Sequence, residues 1–443
     1  MWALSPALLP VINSNPLRMI THANLIGEGN DTSSGTLLGR GMKVAHYVGS
    51  GDAEEVRLML CGWSLGASNL EGAILPGNDF TITQMWVTVD GAGTGVQVTW
   101  GGATSKVISS GQTEIISDPI LPSALGFVDS IPRGTLLYIG YGATVAAAGM
   151  SFPSGDAGHG GTLGGFQAFA YNPLNTGLTN LQGSGQMWVN GAEEIGSTNN
   201  SLSPPVMVIG KFTEPDVGVF CGTGDSITYA LNDAGNGYAI GRGWFTRSLF
   251  DNAAAFTNAR AGLKLAKSGG QASVWSAGSV NGARAKLTGL SKYANRFIER
   301  YGINSINVDG NQGNADGLHA EKKIIWDAIR GAAAGPVLVA CAPLTPKTAS
   351  TDGWVTVINQ TPVSGIGGQI DLLDTDLAAA VGVAGQIDAY IQNTLGLRGS
   401  VSKASADYWR WAAAVTVDGV HPDPTPHELM AVAVRTWMQA HTS

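Results

Sequence analysis

Charged residues and cysteines are scarce in this chain. Of its 443 residues only 13% are charged and three are cysteine, at Cys61, Cys221 and Cys341. Cysteines this far apart indicate neither a disulfide framework nor a zinc site, and the histidines and methionines show no metal-ligand spacing. We therefore expect no metal and no other cofactor.

Long apolar runs and basic clusters are missing as well. No window of about 18 uninterrupted apolar residues occurs, so we predict no membrane span. The net charge is −8, and the first 205 residues hold 14 Asp and Glu against six Lys and Arg. Without a basic patch, nucleic acid is not an expected partner. The start of the chain has no basic n-region and does not fit a secretory signal, which leaves cytoplasm, extracellular space and virion open as locations.

Glycine and apolar residues are abundant instead. The chain has 62 glycines without a fixed period, and 44% of its residues are hydrophobic. This composition is typical of a folded protein rich in turns, and the length predicts two or three domains.

The first half has the pattern of an antiparallel β protein. The stretch "DFTITQMWVTVDGAGTGVQVTWGG" alternates apolar and polar residues on either side of a glycine-rich turn, which predicts a hairpin. We predict an N-terminal segment at 1–25 and a β-sandwich of jelly-roll type at 26–205. The proline-marked stretch "NSLSPPVMV" forms the boundary.

The second half, residues 206–443, alternates apolar strands with amphipathic helices. This predicts an α/β domain with a parallel sheet, in which ligands bind at the carboxyl ends of the strands. The helices are predicted at 252–267, 285–301, 319–332 and 426–440, and the strands after the first at 272–278, 303–310, 336–343 and 411–419.

Two short motifs in this half carry the residue types of nucleophilic catalysis. Ser226 lies in "GDSIT", and Asp418 and His421 lie in "DGVHP" near the end of the chain. A serine hydroxyl needs a base to take its proton, and a neutral imidazole suits this task near pH 7. Asp418 is close enough in sequence to orient the imidazole of His421.

Together with "SVNGARA" and "DGNQGNAD", these motifs resemble the SGNH (GDSL-type) hydrolase superfamily over residues 215–443. The resemblance implies a flavodoxin-like domain with Ser226 as nucleophile, His421 as base and Asp418 as its partner. It also implies an oxyanion hole formed by the backbone N–H groups of Ser226 and Gly282 and the side-chain amide of Asn311.

The third block of the family usually reads Gly-x-Asn-Asp, and this chain departs from it. Around Asn311, Asp309 stands in the glycine position and Gln312 in the aspartate position. Asn314, in "GNAD", is the alternative donor. We favour Asn311 because it is nearer to the predicted strand end.

Ser64 is a rival nucleophile, since "CGWSLGAS" fits the Gly-x-Ser-x-Gly pattern of another hydrolase fold. In that fold the serine leads into a helix and a glycine-rich oxyanion loop comes earlier in the chain. Here turns and strands follow Ser64, and the glycine-rich stretch 158–165 comes later. We therefore predict Ser226 as the nucleophile.

These residues predict a serine esterase that works through an acyl-serine intermediate. By resemblance, the substrate is an acetylated polysaccharide, which the β-sandwich would help to grip. Two alternatives remain: a broad short-chain esterase or lipase, and a viral tail or host-recognition protein whose hydrolase domain deacetylates or merely binds a surface glycan.

Overall fold

The computed structural model describes most of the chain, with gaps in both halves. The described residues are 15–22, 24–26, 29–66, 73–156, 166–171, 173, 178–179, 181–182, 188–189, 193–194, 201–202, 204–233, 242–252, 258–276, 282–306, 314–363 and 366–442.

The described elements of the first half are mainly strands. In chain order they are β1 Arg18–Met19, β2 Asn24–Leu25, β3 Asn30–Thr32, β4 Gly39–Tyr47, β5 Arg57–Leu60, β6 Ser64–Leu65, β7 Ala73–Ile74, β8 Phe80–Val89, β9 Val96–Gln97, β10 Lys106–Ile108, β11 Ile115–Ile116, β12 Leu136–Thr144, β13 Ser151–Pro153, β14 Gly155–Asp156, β15 Phe166–Tyr171, β16 Leu178–Thr179, β17 Trp188–Val189, β18 Glu193–Glu194, β19 Ser201–Leu202 and β20 Val206–Gly210.

The second half mixes both kinds of element. Its strands are β21 Phe220–Gly224, β22 Gly262–Ala266, β23 Arg296–Arg300, β24 Leu338–Cys341, β25 Thr348–Ser350, β26 Gln360–Pro362 and β27 Ala389–Tyr390. Its helices are α1 Ser226–Tyr229, α2 Trp244–Ser248, α3 Ser273–Ser276, α4 Ala283–Ser291, α5 Ala315–Ala332, α6 Ile366–Ala379 and α7 Pro424–Ala440.

The described first half contains two larger antiparallel sheets, besides several two-stranded ones. One has the order β1-β20-β5-β11, and the other has the order β10-β8-β12-β4-β15-β18, with β9 added beside β8. The predicted hairpin is present, because Trp86 pairs with Gln97 and Val87 with Val96. A boundary at residue 205 would separate β20 from its partners β1 and β5.

The second half contains a parallel sheet, as its alternating pattern predicts. The order is β2-β22-β21-β23-β24-β27, and every neighbouring pair is parallel. The chain runs from β21 to β22 on one side and then crosses to β23 on the other, which is the order of flavodoxin-type sheets. Such a reversal beside β21 makes the carboxyl end of β21 the expected ligand site.

Several predicted elements of this half are wrong. The predicted helix 285–301 ends at Ser291, and its last residues form strand β23. The strand "RFIER" has helix-forming residues, but it pairs with β21 on one side and β24 on the other, so tertiary pairing overrides propensity. Strand β22 lies inside predicted helix 252–267, and helix α3 lies inside predicted strand 272–278. Turns replace most of predicted strand 411–419 and the described part, 303–306, of predicted strand 303–310.

The two halves share one connected hydrophobic core. The N-terminal segment joins them, because β1 belongs to an antiparallel sheet and β2 pairs with β22 of the parallel sheet. Polar contacts also cross between the halves, including an ion pair of 2.7 Å between Lys292 Nζ and Glu114 Oε2. Among the helices that the structure describes, none has the length and apolar character to cross a membrane.

Candidate active site

Ser226 lies immediately beyond the carboxyl end of β21, as the first residue of helix α1. Asp225 caps this helix, since its Oδ1 accepts the Ile227 N–H at 3.1 Å. Gly224 allows the tight turn, because a Cβ there would lie 2.3 Å from Thr228 Oγ1. Ser226 is therefore held at a helix N-terminus, where backbone N–H groups have no partner within the helix.

His421 connects the serine to a carboxylate. Ser226 Oγ lies 2.7 Å from His421 Nε2, and His421 Nδ1 lies 2.7 Å from Asp418 Oδ2. An ionised carboxylate can only accept, so we assign the imidazole proton to Nδ1. Nε2 is then the acceptor for the serine hydroxyl, which is the arrangement that general-base activation requires.

Asp418 is fixed by hydrogen bonds on both carboxylate oxygens. Its Oδ1 accepts the backbone N–H groups of Val420 and His421, at 2.9 and 2.8 Å. Its Oδ2 accepts Asn232 Nδ2 at 2.8 Å, besides the imidazole. Partial burial raises the pKa of Asp418, but the bonds from His421 and Val420 outweigh it and hold the pKa well below its usual range.

Gly419 ties the loop of Asp418 and His421 to the rest of the domain. Its carbonyl oxygen accepts the Thr348 N–H at 3.0 Å and the Trp411 indole N–H at 2.9 Å. Its φ is +76°, and a Cβ there would lie 2.0 Å from the Thr348 carbonyl oxygen. Glycine is thus required at this position, and the β25–β26 hairpin helps to set the position of the histidine.

A cleft of about 440 Å³ opens beside this loop. It has both polar and apolar walls, formed by Tyr229, Ala230, Leu231, Asn232, Asp233, Arg242, Val417 and Asp423. Asn232 links the cleft to the site, because its side-chain amide bonds to Asp418.

The other predicted donors, Gly282 and Asn311, stay predictions. Asn311 lies outside the described residues. Gly282 is exposed and precedes α4 with a φ of +68°, and within the described part of the chain no hydrogen bond joins it to Ser226 or His421. Asn314 caps α5, with its Oδ1 accepting the Gly317 N–H at 2.8 Å.

Two other loops flank Ser226, because β22 and β23 are the neighbours of β21. The loop after β22 contains Gly270, and the loop after β23 contains Asn304. Asn304 Nδ2 donates to the Gly270 carbonyl oxygen at 3.3 Å, and Gln271 Nε2 donates to the Asn304 carbonyl oxygen at 3.2 Å. The sequence contains a signal for Asn304, since "YGINS" has the Gly-x-Asn spacing. The predicted strand 303–310 begins inside this motif and so conceals it.

Ser64 has a different environment. It lies in β6, which pairs with β7 in an antiparallel hairpin, and it is fully buried. Its Oγ donates to the Gly29 carbonyl oxygen at 2.5 Å. Among the described residues, no histidine is bonded to this hydroxyl.

Across the described ranges, no group of three or more His, Cys, Asp or Glu side chains is placed to hold a metal ion.

No family model matches the chain, and no curated protein matches it. The solved structures that resemble it include acylhydrolases and carbohydrate or acetyl esterases of the SGNH type.

A family two carbohydrate esterase from Clostridium thermocellum, in complex with cellohexaose, is 10% identical, covering 93% of this chain and 98% of that chain with a TM-score of 0.32. A carbohydrate acetylesterase from Sinorhizobium meliloti is 12% identical, covering 50% of this chain and 99% of that chain with a TM-score of 0.35. A peptidoglycan O-acetylesterase is 10% identical, covering 96% of this chain and 76% of that chain with a TM-score of 0.36. Because these identities and TM-scores are low, the activity has to be inferred from the side chains.

Proposed function

We propose that this protein is a serine esterase that hydrolyses carboxylic esters through an acyl-serine intermediate. The observation that carries the proposal is the hydrogen-bonded chain Ser226 Oγ to His421 Nε2 and His421 Nδ1 to Asp418 Oδ2, with both distances at 2.7 Å. A nucleophile bonded to a base that a carboxylate orients is the arrangement of serine hydrolases on several unrelated folds.

In this reaction Ser226 Oγ attacks the ester carbonyl carbon while His421 Nε2 takes its proton. The tetrahedral intermediate collapses, the bond to the alcohol breaks, and the alcohol leaves with the proton from His421. Water then attacks the acyl-serine with His421 again as the base, and the acid and free Ser226 are released. Asp418 stays ionised and stabilises the imidazolium that forms in each half of the reaction.

The oxyanion of each intermediate needs positioned donors. The Ser226 backbone N–H at the start of α1 is one candidate, and the sequence predicted Gly282 and Asn311 as the others. In their place we propose two other donors, the side-chain amide of Asn304 and a backbone N–H group in the turn at Gly270. Their position supports this choice, since both lie in loops that follow the strands on either side of β21.

For the substrate we propose an O-acetylated polysaccharide, following the sequence resemblance. The cleft beside the loop of Asp418 and His421 supports this choice. Its lining offers polar partners for sugar hydroxyls and apolar surface for ring faces. We also propose that the two antiparallel sheets form a β-sandwich domain that grips the glycan next to the α/β domain.

The test compares wild type with Ser226→Ala on p-nitrophenyl acetate and p-nitrophenyl butyrate, and measures acetate released from acetylated xylan and an O-acetylated bacterial capsule. We expect hydrolysis by wild type and a loss of about 10⁴-fold or more in the variant, with unchanged thermal unfolding. Preference for butyrate over every glycan would favour a general short-chain esterase. Full activity of Ser226→Ala would refute the mechanism, and a silent wild type would favour a glycan-binding protein.

A further inference from the structure

An ion pair lies buried directly beside the nucleophile turn. Arg300 Nη1 is 3.8 Å from Asp225 Oδ1, and both side chains are fully buried. Arg300 is the last residue of β23 and pairs in register with Gly224, two residues before Ser226. Asp225 is the residue that caps helix α1, so Arg300 contacts the turn through the cap of the nucleophile helix.

This pair differs from an ordinary structural ion pair. A separation of 3.8 Å is longer than a hydrogen bond, and among the described residues none is a hydrogen-bond partner of the three Arg300 guanidinium nitrogens. Asp225 Oδ2 also lacks one. By contrast, Arg40 in the β half makes bonds of 2.6 and 2.9 Å to both oxygens of Asp31. A buried guanidinium without hydrogen bonds is costly, so packing alone does not explain an arginine at position 300.

The charge of Arg300 bears on the ionisation of Asp225. Burial raises the pKa of Asp225 above its usual value, and the Arg300 cation is the largest of the influences that keep this rise smaller. The other titratable groups facing Asp225 are His421 from the catalytic loop and Lys322 from α5. Arg300 itself also faces Asp374, Glu299 and Arg398. An ionised Asp225 accepts the Ile227 N–H as a charge-assisted bond, which is stronger than the bond to a neutral carboxyl.

We propose that Arg300 is a positioning residue, which holds Asp225 as an ionised cap so that helix α1 presents Ser226 to His421. This inference rests on the proposed esterase function. Arg300 touches neither the substrate nor the reacting atoms and acts through Asp225.

The test measures kcat and KM against pH for wild type, Arg300→Met and Arg300→Lys with p-nitrophenyl acetate. At pH 7 we expect Arg300→Met to lose about tenfold in kcat, with KM within about twofold of wild type. Its kcat should recover at higher pH as Asp225 ionises, because removal of the cation raises the pKa of that carboxyl. Arg300→Lys keeps the charge and should retain the wild-type profile.

A second series tests whether Arg300 acts through Asp225. In an Asp225→Asn background the cap cannot ionise, so adding Arg300→Met should cause no further loss of kcat. A further tenfold loss there would overturn the proposal.

Arg40→Met is the matched control for removing a buried arginine. It should lower stability and leave the pH profile of kcat unchanged. If Arg300→Met behaves in the same way, Arg300 is merely structural and the proposal is wrong while the esterase function stands. If wild type hydrolyses no ester, the esterase function itself fails, and the positioning role with it.

Discussion

Two serines of this chain lie in glycine-rich stretches that resemble nucleophile motifs, and their surroundings differ in one decisive way. Ser64 lies in an antiparallel hairpin, and its buried hydroxyl donates to the Gly29 carbonyl oxygen. Ser226 lies where a central parallel strand turns into a helix, and its hydroxyl meets an imidazole nitrogen. A carbonyl oxygen can only accept the proton in a hydrogen bond, whereas a neutral imidazole can remove it.

The difference follows from sheet topology. Parallel strands all end at the same edge, so loops distant in sequence meet there, and the Ser226 turn meets the loop of Asp418 and His421 from the far end of the chain. In an antiparallel hairpin the strand is followed by its own partner, and the nearest groups are backbone. The environment of the serine, rather than the glycines around it, therefore decides its chemistry.

After loss of the nucleophile itself, the largest expected effect is on the carboxylate that orients the base. Asp418→Asn keeps the shape of the side chain but can donate to His421 Nδ1, which favours the wrong tautomer. We expect kcat to fall by about 10³–10⁴-fold with little change in KM, measured by steady-state hydrolysis of p-nitrophenyl acetate.

Asp118→Asn is the control from the antiparallel half. Asp118 also accepts several hydrogen bonds, from Thr99, Gly101 and Gly102, and its removal should leave kcat unchanged. Equal losses in the two variants would remove the distinction between the regions.

The next effect concerns the loops beside Ser226. Asn304→Ala should lower kcat by about 10²–10³-fold, because one oxyanion donor is lost. Asn314→Ala should cost about 1 kcal/mol of stability through the lost helix cap and leave kcat near wild type. Asn311→Ala is the deciding comparison: a large kcat loss there, with Asn304→Ala active, would restore the sequence-based choice.

These residues show what a sequence can suggest and where it stops. The two sharp motifs, "GDSIT" and "DGVHP", carry their own turn chemistry, so Ser226, Asp418 and His421 could be picked out without the fold. The order of strands and helices was enough to predict a parallel sheet. The sequence also favours Ser226 over Ser64, because the pattern after each serine differs.

The oxyanion donors were harder, because they depend on where strands end. Glu299 and Arg300 made β23 look like the end of an amphipathic helix, although both are fully buried in the sheet. That error placed the predicted strand at 303–310, so that Asn304 fell inside it and Asn311 followed its end. The pairing of β23 with two neighbouring strands is a long-range interaction, which local propensity cannot predict. Asn232 was missed for the same reason, since only the fold brings it to Asp418.

A smaller effect tests whether the two regions unfold together. His22 and His46 lie buried in the N-terminal half, and His22 packs edge-to-face against Phe250 of the α/β half at a centroid distance of 5.0 Å. Burial lowers the pKa of His22 to about 4 and that of His46 to about 3. The unfolded chain binds these protons near pH 6.5 and the folded chain does not, so stability is full above that pH and falls as the pH drops towards about 4.

We expect each histidine to cost about 2 kcal/mol of unfolding free energy between about pH 7.5 and pH 5. In urea unfolding, His22→Gln should show a smaller loss over this range, because glutamine can still accept the Tyr47 N–H but does not titrate. Loss of tryptophan fluorescence and loss of activity should coincide at each pH if the shared core makes one cooperative unit. Identical pH dependence in wild type and His22→Gln would contradict the role given to burial.

The smallest effect is expected at Ser64, where the comparison began. Ser64→Ala removes a buried hydroxyl, but the Gly29 carbonyl oxygen keeps a second partner, since it also accepts the Ser154 N–H at 3.0 Å. We therefore expect the free energy of unfolding to fall by only about 1 kcal/mol, with kcat per folded molecule unchanged. Ser226→Ala should give the reverse result, with stability near wild type and no activity. If Ser64→Ala were the inactive variant, the hydrogen bond from Ser64 to the Gly29 carbonyl oxygen would have to break in the working enzyme. The antiparallel half would then be the catalytic one.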